Sequence, residues 1–192
     1  MNALRTGLLG VVLVTAVTAL SGQTQAPPVS AHEFEGFKFT LQPPEDYRFA
    51  AQSVPAPGLK TFGFLTDPRS DGTRGMIQVT LIAMQKTGED MGGLTLEKFG
   101  NGMIEGVRRR RTQWMHKESA TEIAGVPGRR FEWSGAAELG AGVVGPMMRG
   151  VMIVGIKDDL AFSLNTQDLM AFAPGNLPVC EKALKTFSVA KK

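Results

Sequence analysis

The chain has 192 residues, 43% of them hydrophobic and 20% charged, with a formal net charge of +3 and one cysteine, Cys180. That length suits a single domain with a real core, the composition excludes a low-complexity or disordered chain, and a lone cysteine excludes an intrachain disulfide. The positive charge is concentrated: residues 105–118 hold Arg108, Arg109, Arg110, Arg111 and Lys117 against Glu105 and Glu118, a local +3 equal to that of the whole chain.

The N-terminus carries one cation, Arg5, then the apolar run "GLLGVVLVTAVTAL" and a small-residue exit. These are the three parts of a secretory signal peptide, and the run is too short for a bilayer-spanning helix. The expectation is a signal peptide over residues 1–31, cleaved somewhere between 21 and 31, followed by one domain over 32–192. The product is then periplasmic or secreted, with no transmembrane anchor after processing. No cysteine follows "ALSG", which closes the lipoprotein route.

"FEGFKFTL", Phe34 to Leu41, alternates and reads as one strand, ended by Pro43 and Pro44. "PPEDYRF" reads as a loop and "LKTFGFLTD" as a second strand. "RSDGTRG" is turn chemistry and "MIQVTLIAM" a strong strand, so the two strands about that turn predict a hairpin.

Thr95 caps a helix in which Leu96, Phe99, Met103, Val107 and Trp114 share one face. Gly100, Gly102 and Gly106 weaken it by ~1 kcal/mol each relative to alanine. Arg108 and Arg109 fall on its solvent side, whereas Arg110 and Arg111 reach its apolar edge. Either those two snorkel or the helix stops near Arg109. In both cases the helix dipole favours cations at this end.

From Ser119 the pattern is β again. Val126-Pro127-Gly128-Arg129 fits a type II turn, and Arg130 and Glu132 alternate with Phe131 and Trp133 in the strand beyond. "GAAELGAGVVGP", residues 135–146, reads as a small-residue loop, and "MMRGVMIVGIKDDLAFSLN" as a hairpin turning at Lys157-Asp158-Asp159. A last helix starts at Asn176 and buries Leu177, Cys180, Leu184 and Phe187.

Little of this is catalytic. Gly140 to Gly145 spells G-x-G-x-x-G, but Pro146 and a β-like run follow where a dinucleotide site needs a helix. His32 and His116 are the only histidines; neither lies near a nucleophile motif, and no His/Cys spacing suits zinc. Met147, Met148 and Met152 read as core filling rather than a soft-metal site. No cofactor, metal or catalytic residue is expected. The remaining candidate is a binding surface of Arg108, Arg109, Arg110, Arg111, Trp114 and Lys117, suited to an envelope protein or another anionic surface. Nucleic acid is not expected as a partner of an exported chain.

The element order, with "FKFTLQPPEDYRF" near the start, "LTLEKF" opening the middle helix, "EIAGVPGRRFEW" after it and "CEKALKTFSV" at the end, resembles the PsbP-like α/β/α sandwich proteins. Pro43, Pro44 and Tyr47 match the family's early proline loop, and Ile123, Gly125, Pro127 and Gly128 match its turn before a strand. The resemblance runs from about Glu33 to Val189. It implies an α+β fold with a single antiparallel sheet flanked by helices, and a non-enzymatic accessory or assembly role in binding other proteins. The alternative is a small-ligand carrier or enzyme with a cleft near the 135–146 loop, drawing on Trp133 and Arg130.

Overall fold

A computed structural model describes residues 29–84, 93–138 and 143–192. The leader-like segment lies outside them except for its last three residues, and so do Gly140, Ala141 and Gly142 of the Gly140–Gly145 motif, whose last two residues belong to a strand. In chain order the described elements are β1 (Ser30–Phe34), β2 (Phe37–Leu41), β3 (Tyr47–Ala56), β4 (Leu59–Thr66), β5 (Met76–Ala83), α1 (Leu96–Arg108), β6 (Arg111–Ile123), β7 (Val126–Glu138), β8 (Val144–Lys157), β9 (Leu160–Leu169), α2 (Ala173–Leu184) and β10 (Ser188–Lys191).

The expected single sheet flanked by helices is not what these residues build. The protein is mostly β, with a seven-stranded antiparallel sheet ordered β3-β4-β5-β9-β8-β7-β6 and a separate three-stranded sheet ordered β1-β2-β10. The small sheet arises because Glu35 and Gly36 take φ of 46° and 80°. Two successive positive φ values make a tight hairpin, so the run read as one strand folds back on itself and β1 pairs with β2. The chain's last strand then pairs with the other edge of β2, Val189 opposite Phe39.

Three more strands lie where other structure was expected. Tyr47 opens β3 rather than ending a loop. Residues from Arg111 onward form β6, so the helix ends at Arg108 with Arg109 as its cap. The turn before β7 falls at Ala124-Gly125, with φ of 54° and 75°, three residues ahead of the Pro127-Gly128 pair, which already belongs to the strand. The β4–β5 hairpin and the β8–β9 turn at Asp158 follow the sequence expectation. Both outer strands of the large sheet pair irregularly: β3 shifts register between Phe49 and Ala51 and between Ser53 and Ala56, and β6 shifts between Thr112 and Met115.

Alternation along β8 shows how the layers stack. Val151 and Ile153 join Cys180, Ala183 and Leu184 of α2, together with Phe39, Leu41 and Val189 of the small sheet, in one core. Met152 and Val154 join Phe99 and Ile104 of α1 in a second core on the opposite face. One face of the large sheet therefore carries α2 and the small sheet, and the other carries α1 over its β6–β8 half. Trp133, 2% exposed, anchors the α1 side; it fits because a side chain at Gly150 would collide with its ring and stand 2.6 Å from the Thr166 carbonyl oxygen.

Candidate contact surface at the α1–β6 corner

The arginine run sits at the corner where α1 hands over to β6, and the corner splits it. Arg108 and Arg109 extend into solvent, with side chains 60% and 77% exposed, and share one carboxylate, Glu105, at 3.3 Å and 3.8 Å. Arg110 is exposed in the turn and has no ion-pair partner among the described residues. Exposed pairs of this kind contribute little to stability.

Arg111 points the other way. Its Nη1 donates to the Val107 carbonyl at 3.2 Å, its Nη2 donates to Gln167 Oε1 at 2.8 Å, and its guanidinium lies 4.4 Å from the Trp133 ring centroid. Burial, with the charge of Arg110 alongside, pulls its pKa below the usual guanidinium value. Gly135 makes room for its stem, because a Cβ there would stand 3.1 Å from the Cβ of Arg111. Trp114 follows it inward and stacks on Trp133, with ring centroids 5.7 Å apart and planes at 19°, while its Nε1 donates to His116 Nδ1 at 3.1 Å. The cause is a bulge: Gln113 takes φ of 50°, and β6 spends three residues from Thr112 to Met115 where β7 spends two.

Lys117 is separated from the corner. Six residues of strand place it about 20 Å along β6. It lines a trough of ≈ 560 Å³ with Met115, Glu132, Ser134, Arg149 and Met170. Of the six residues singled out in the sequence, then, Arg108, Arg109 and Arg110 form one solvent-facing cluster, Arg111 and Trp114 are packing residues, and Lys117 stands apart. The trough lies at the Ser134–Arg149 pair, next to residues 135–138 and 144–146, which continue β7 and β8 rather than forming the loop expected there, where a ligand cleft was the alternative expectation. Arg130, named for that cleft, is committed elsewhere: it holds Glu181 at 2.7 Å and 2.9 Å and Glu132 at 2.8 Å.

Several polar clusters carried no sequence signal beyond their residue types. Asp168, 1% exposed, accepts two bonds from Arg69 at 2.8 Å and 2.6 Å, one from the Leu169 backbone N–H at 2.8 Å and one from Asn176 Nδ2 at 2.6 Å. This network ties the β4–β5 turn to the first turn of α2, which begins at Ala173, so that Asn176 lies inside the helix and does not cap it. Beside it the Cys180 thiol donates to Tyr47 Oη at 3.1 Å, and burial holds both groups above their ordinary pKa values. Arg129 clamps the first turns of α1 by donating to the Glu97 carbonyl at 2.6 Å and Asn101 Oδ1 at 2.9 Å while pairing with Glu118 at 2.5 Å.

A second cavity, of ≈ 410 Å³, lies between the C-terminal half of α1 and strands β5 and β9. Its sheet side carries a polar row, Gln78 and Thr80 from β5 with Ser163, Asn165 and Gln167 from β9, beside Met76 and Met152, and Arg110 and Arg111 also line it. The signal for it was the period-2 spacing of polar residues in "MIQVTLIA" and "AFSLNTQD". Among the described residues there is no group of three or more acidic, histidine or cysteine side chains suited to a metal, and no helix long and apolar enough to cross a membrane.

No family model matches the chain, and no curated protein matches it in sequence. Solved structures do match in fold. The chain is similar to LpqN of Mycobacterium tuberculosis, a protein involved in cell envelope biogenesis, with a TM-score of 0.58, 14% identity, and coverage of 85% of this chain and 91% of that one. It is similar to the cyanobacterial PsbP, CyanoP, of Synechocystis sp. PCC 6803, with a TM-score of 0.55, 11% identity, and coverage of 91% and 99%. It is also similar to PA94 of Pseudomonas aeruginosa, a protein of unknown function described as a putative regulator, at a TM-score of 0.52 and 11% identity, covering 82% and 94%. The fold is PsbP-like, as the resemblance in sequence order implied.

Proposed function

We propose that this chain is a non-catalytic accessory protein that works outside the cytoplasm and acts by gripping an acidic surface on a partner protein of the cell envelope through Arg108, Arg109 and Arg110. The observation that carries this reading is the split of the arginine run. Three consecutive arginines face solvent and a single carboxylate, Glu105, pairs with two of them, so most of their donors are left for a partner. The helix dipole accounts for cations at the end of α1, but it does not require three. The leader-like N-terminus supports export, and the fold shared with an envelope-biogenesis protein supports an accessory role.

The test is a comparison of two variants of the tagged protein, crosslinked in the producing cells, with captured proteins identified by mass spectrometry. Replacing Arg108, Arg109 and Arg110 together with serine is expected to abolish capture of a specific envelope protein while leaving the melting temperature within about 2 °C, as for exposed substitutions. Lys117→Ser, about 20 Å away by strand rise, is expected to leave capture intact. Capture that survives the triple variant rejects the corner as the contact surface. Capture of membrane lipid in place of protein rejects the protein partner.

A further inference from the structure

The cavity between α1 and the β5–β9 strands has features that packing alone does not require. A sheet face beneath a helix is ordinarily apolar, and the β7–β8 part of this face is, with Phe131, Trp133, Met152 and Val154. One strand further on it changes to Gln78, Thr80, Ser163, Asn165 and Gln167. Three of these are nearly withdrawn from solvent, Ser163 at 2% and Thr80 and Asn165 at 9% exposure. Buried polar atoms are normally paired within the protein or by bound molecules.

Here the pairing stops short. Asn165 Oδ1 accepts from Trp133 Nε1 at 3.3 Å and Gln167 Oε1 accepts from Arg111 Nη2 at 2.8 Å, which fixes both carboxamides by their oxygens. Their N–H donors, and the Ser163 hydroxyl, make no hydrogen bond among the described residues and are not sealed from solvent, so they stand open to a molecule in the cavity. The helix side is open where it faces them: a Cβ built at Gly102 or at Gly106 meets nothing within 4 Å. At ≈ 410 Å³ the cavity falls in the range of ~300–1,000 Å³ typical of small-molecule sites.

We infer that this groove is a binding site for a small hydroxylated carboxylate, with Arg110 taking the carboxylate and the Gln78, Ser163, Asn165 and Gln167 side chains taking the hydroxyls. No acidic residue lines the groove, so a cationic ligand has nothing to meet its charge. The lining polar groups both donate and accept, which complements hydroxyls that do the same, and one partnerless guanidinium complements one carboxylate. A long acyl chain is disfavoured, because it would bury these donors unpaired. The inference does not depend on the partner surface, although Arg110 belongs to both. Gly106→Leu separates them, filling the groove while leaving Arg108, Arg109 and Arg110 in solvent.

The experiment is calorimetric titration of the full protein with three probes: D-galacturonate, its neutral counterpart D-galactose, and cyclohexanecarboxylate, which has the acid without the hydroxyls. Galacturonate is expected to bind saturably with a dissociation constant of about 1 mM or tighter, as suits a ligand of that size. Galactose and cyclohexanecarboxylate are expected to bind at least about tenfold more weakly. Gly106→Leu is expected to remove galacturonate binding without lowering the melting temperature, since leucine favours a helix more than glycine does. Absence of saturable galacturonate binding overturns the inference. So does equal binding of either control probe, and so does galacturonate affinity unchanged in Gly106→Leu. Loss of partner capture in the Gly106→Leu protein would show instead that groove and corner are one surface, and would overturn the assignment of a separate site.

Discussion

Arg108 to Arg111 are chemically identical and adjacent, yet the fold uses them in two ways, and stability measurements should separate them. Arg111→Ala removes two hydrogen bonds and a cation–π contact from a half-buried position, and is expected to cost about 1–3 kcal/mol. Arg109→Ala is expected to stay within about 0.5 kcal/mol, because its pairing with Glu105 is exposed. Urea denaturation of both variants checks this, and equal effects would mean that the inward arginine contributes nothing. The density of positive charge was legible in the sequence. Which arginine turns inward was not, since that depends on the bulge at Gln113 and on the space left by Gly135, neither of which has a local pattern.

At the scale of elements, α1 is the one that needs outside help. Its three glycines give it a weak intrinsic preference, and two arginines from the sheet side fasten it at opposite ends: Arg129 to Glu97 and Asn101, and Arg111 to Val107. Gly100 lets the helix approach this closely, since a Cβ there would stand 2.8 Å from Arg129 Nη1. Arg129→Met is therefore expected to speed hydrogen exchange of the α1 backbone amides by about tenfold or more while leaving those of β8 and β9 unchanged. Uniform acceleration across the sheet would contradict a local clamp. The sequence showed the long periodic elements, α1, β5, the β8–β9 hairpin and α2, because each turns a continuous stripe toward one of the two cores. It showed only the end of β6, from Ser119 on, and did not show β10. The edge strand β6 is exposed along most of its length and so lacks alternation, and β10 has a single inward residue, Val189, which sets no period. Reading "FEGFKFTL" as one strand failed for a different reason: its alternation runs on either side of a two-residue turn, and only the glycine marks the reversal.

The whole molecule is joined at a seam where the small sheet meets the large one, and the seam contains an ionisable ring. His32 of β1 stacks at 5.1 Å on Phe39 and lies 5.4 Å from Phe49 and 4.9 Å from Phe62, with its Nε2 buried and unpartnered among the described residues. Burial, and secondarily the charge of Lys60, lowers its pKa from 6.5. A lowered value means that the unfolded chain takes up the proton first. The contribution of His32 is therefore complete above pH 6.5 and is lost as pH falls below that value through the folded one. Glu181 acts lower on the scale: its hydrogen bonds from Arg130 depress its pKa from 4.5, so its contribution is lost only as pH falls below 4.5. Melting temperature measured against pH should therefore decline in two stages on the acid side, and His32→Phe should remove the upper stage alone. An unchanged upper stage in that variant would place the titrating group elsewhere. The sequence carried no sign of this setting for His32, because its surroundings are assembled from three other strands.

Both outer strands of the large sheet pair with register shifts, and a further shift lies between Ala136 and Glu138 where β7 meets β8, whereas β4 with β5, β5 with β9 and β8 with β9 pair without interruption. A free sheet edge is a template for the same edge of another copy, and a straight one invites ribbons and fibres. Bends at both margins deny a neighbouring molecule a continuous row of donors and acceptors. Irregularity there makes both margins poor templates for edge-to-edge pairing with another copy.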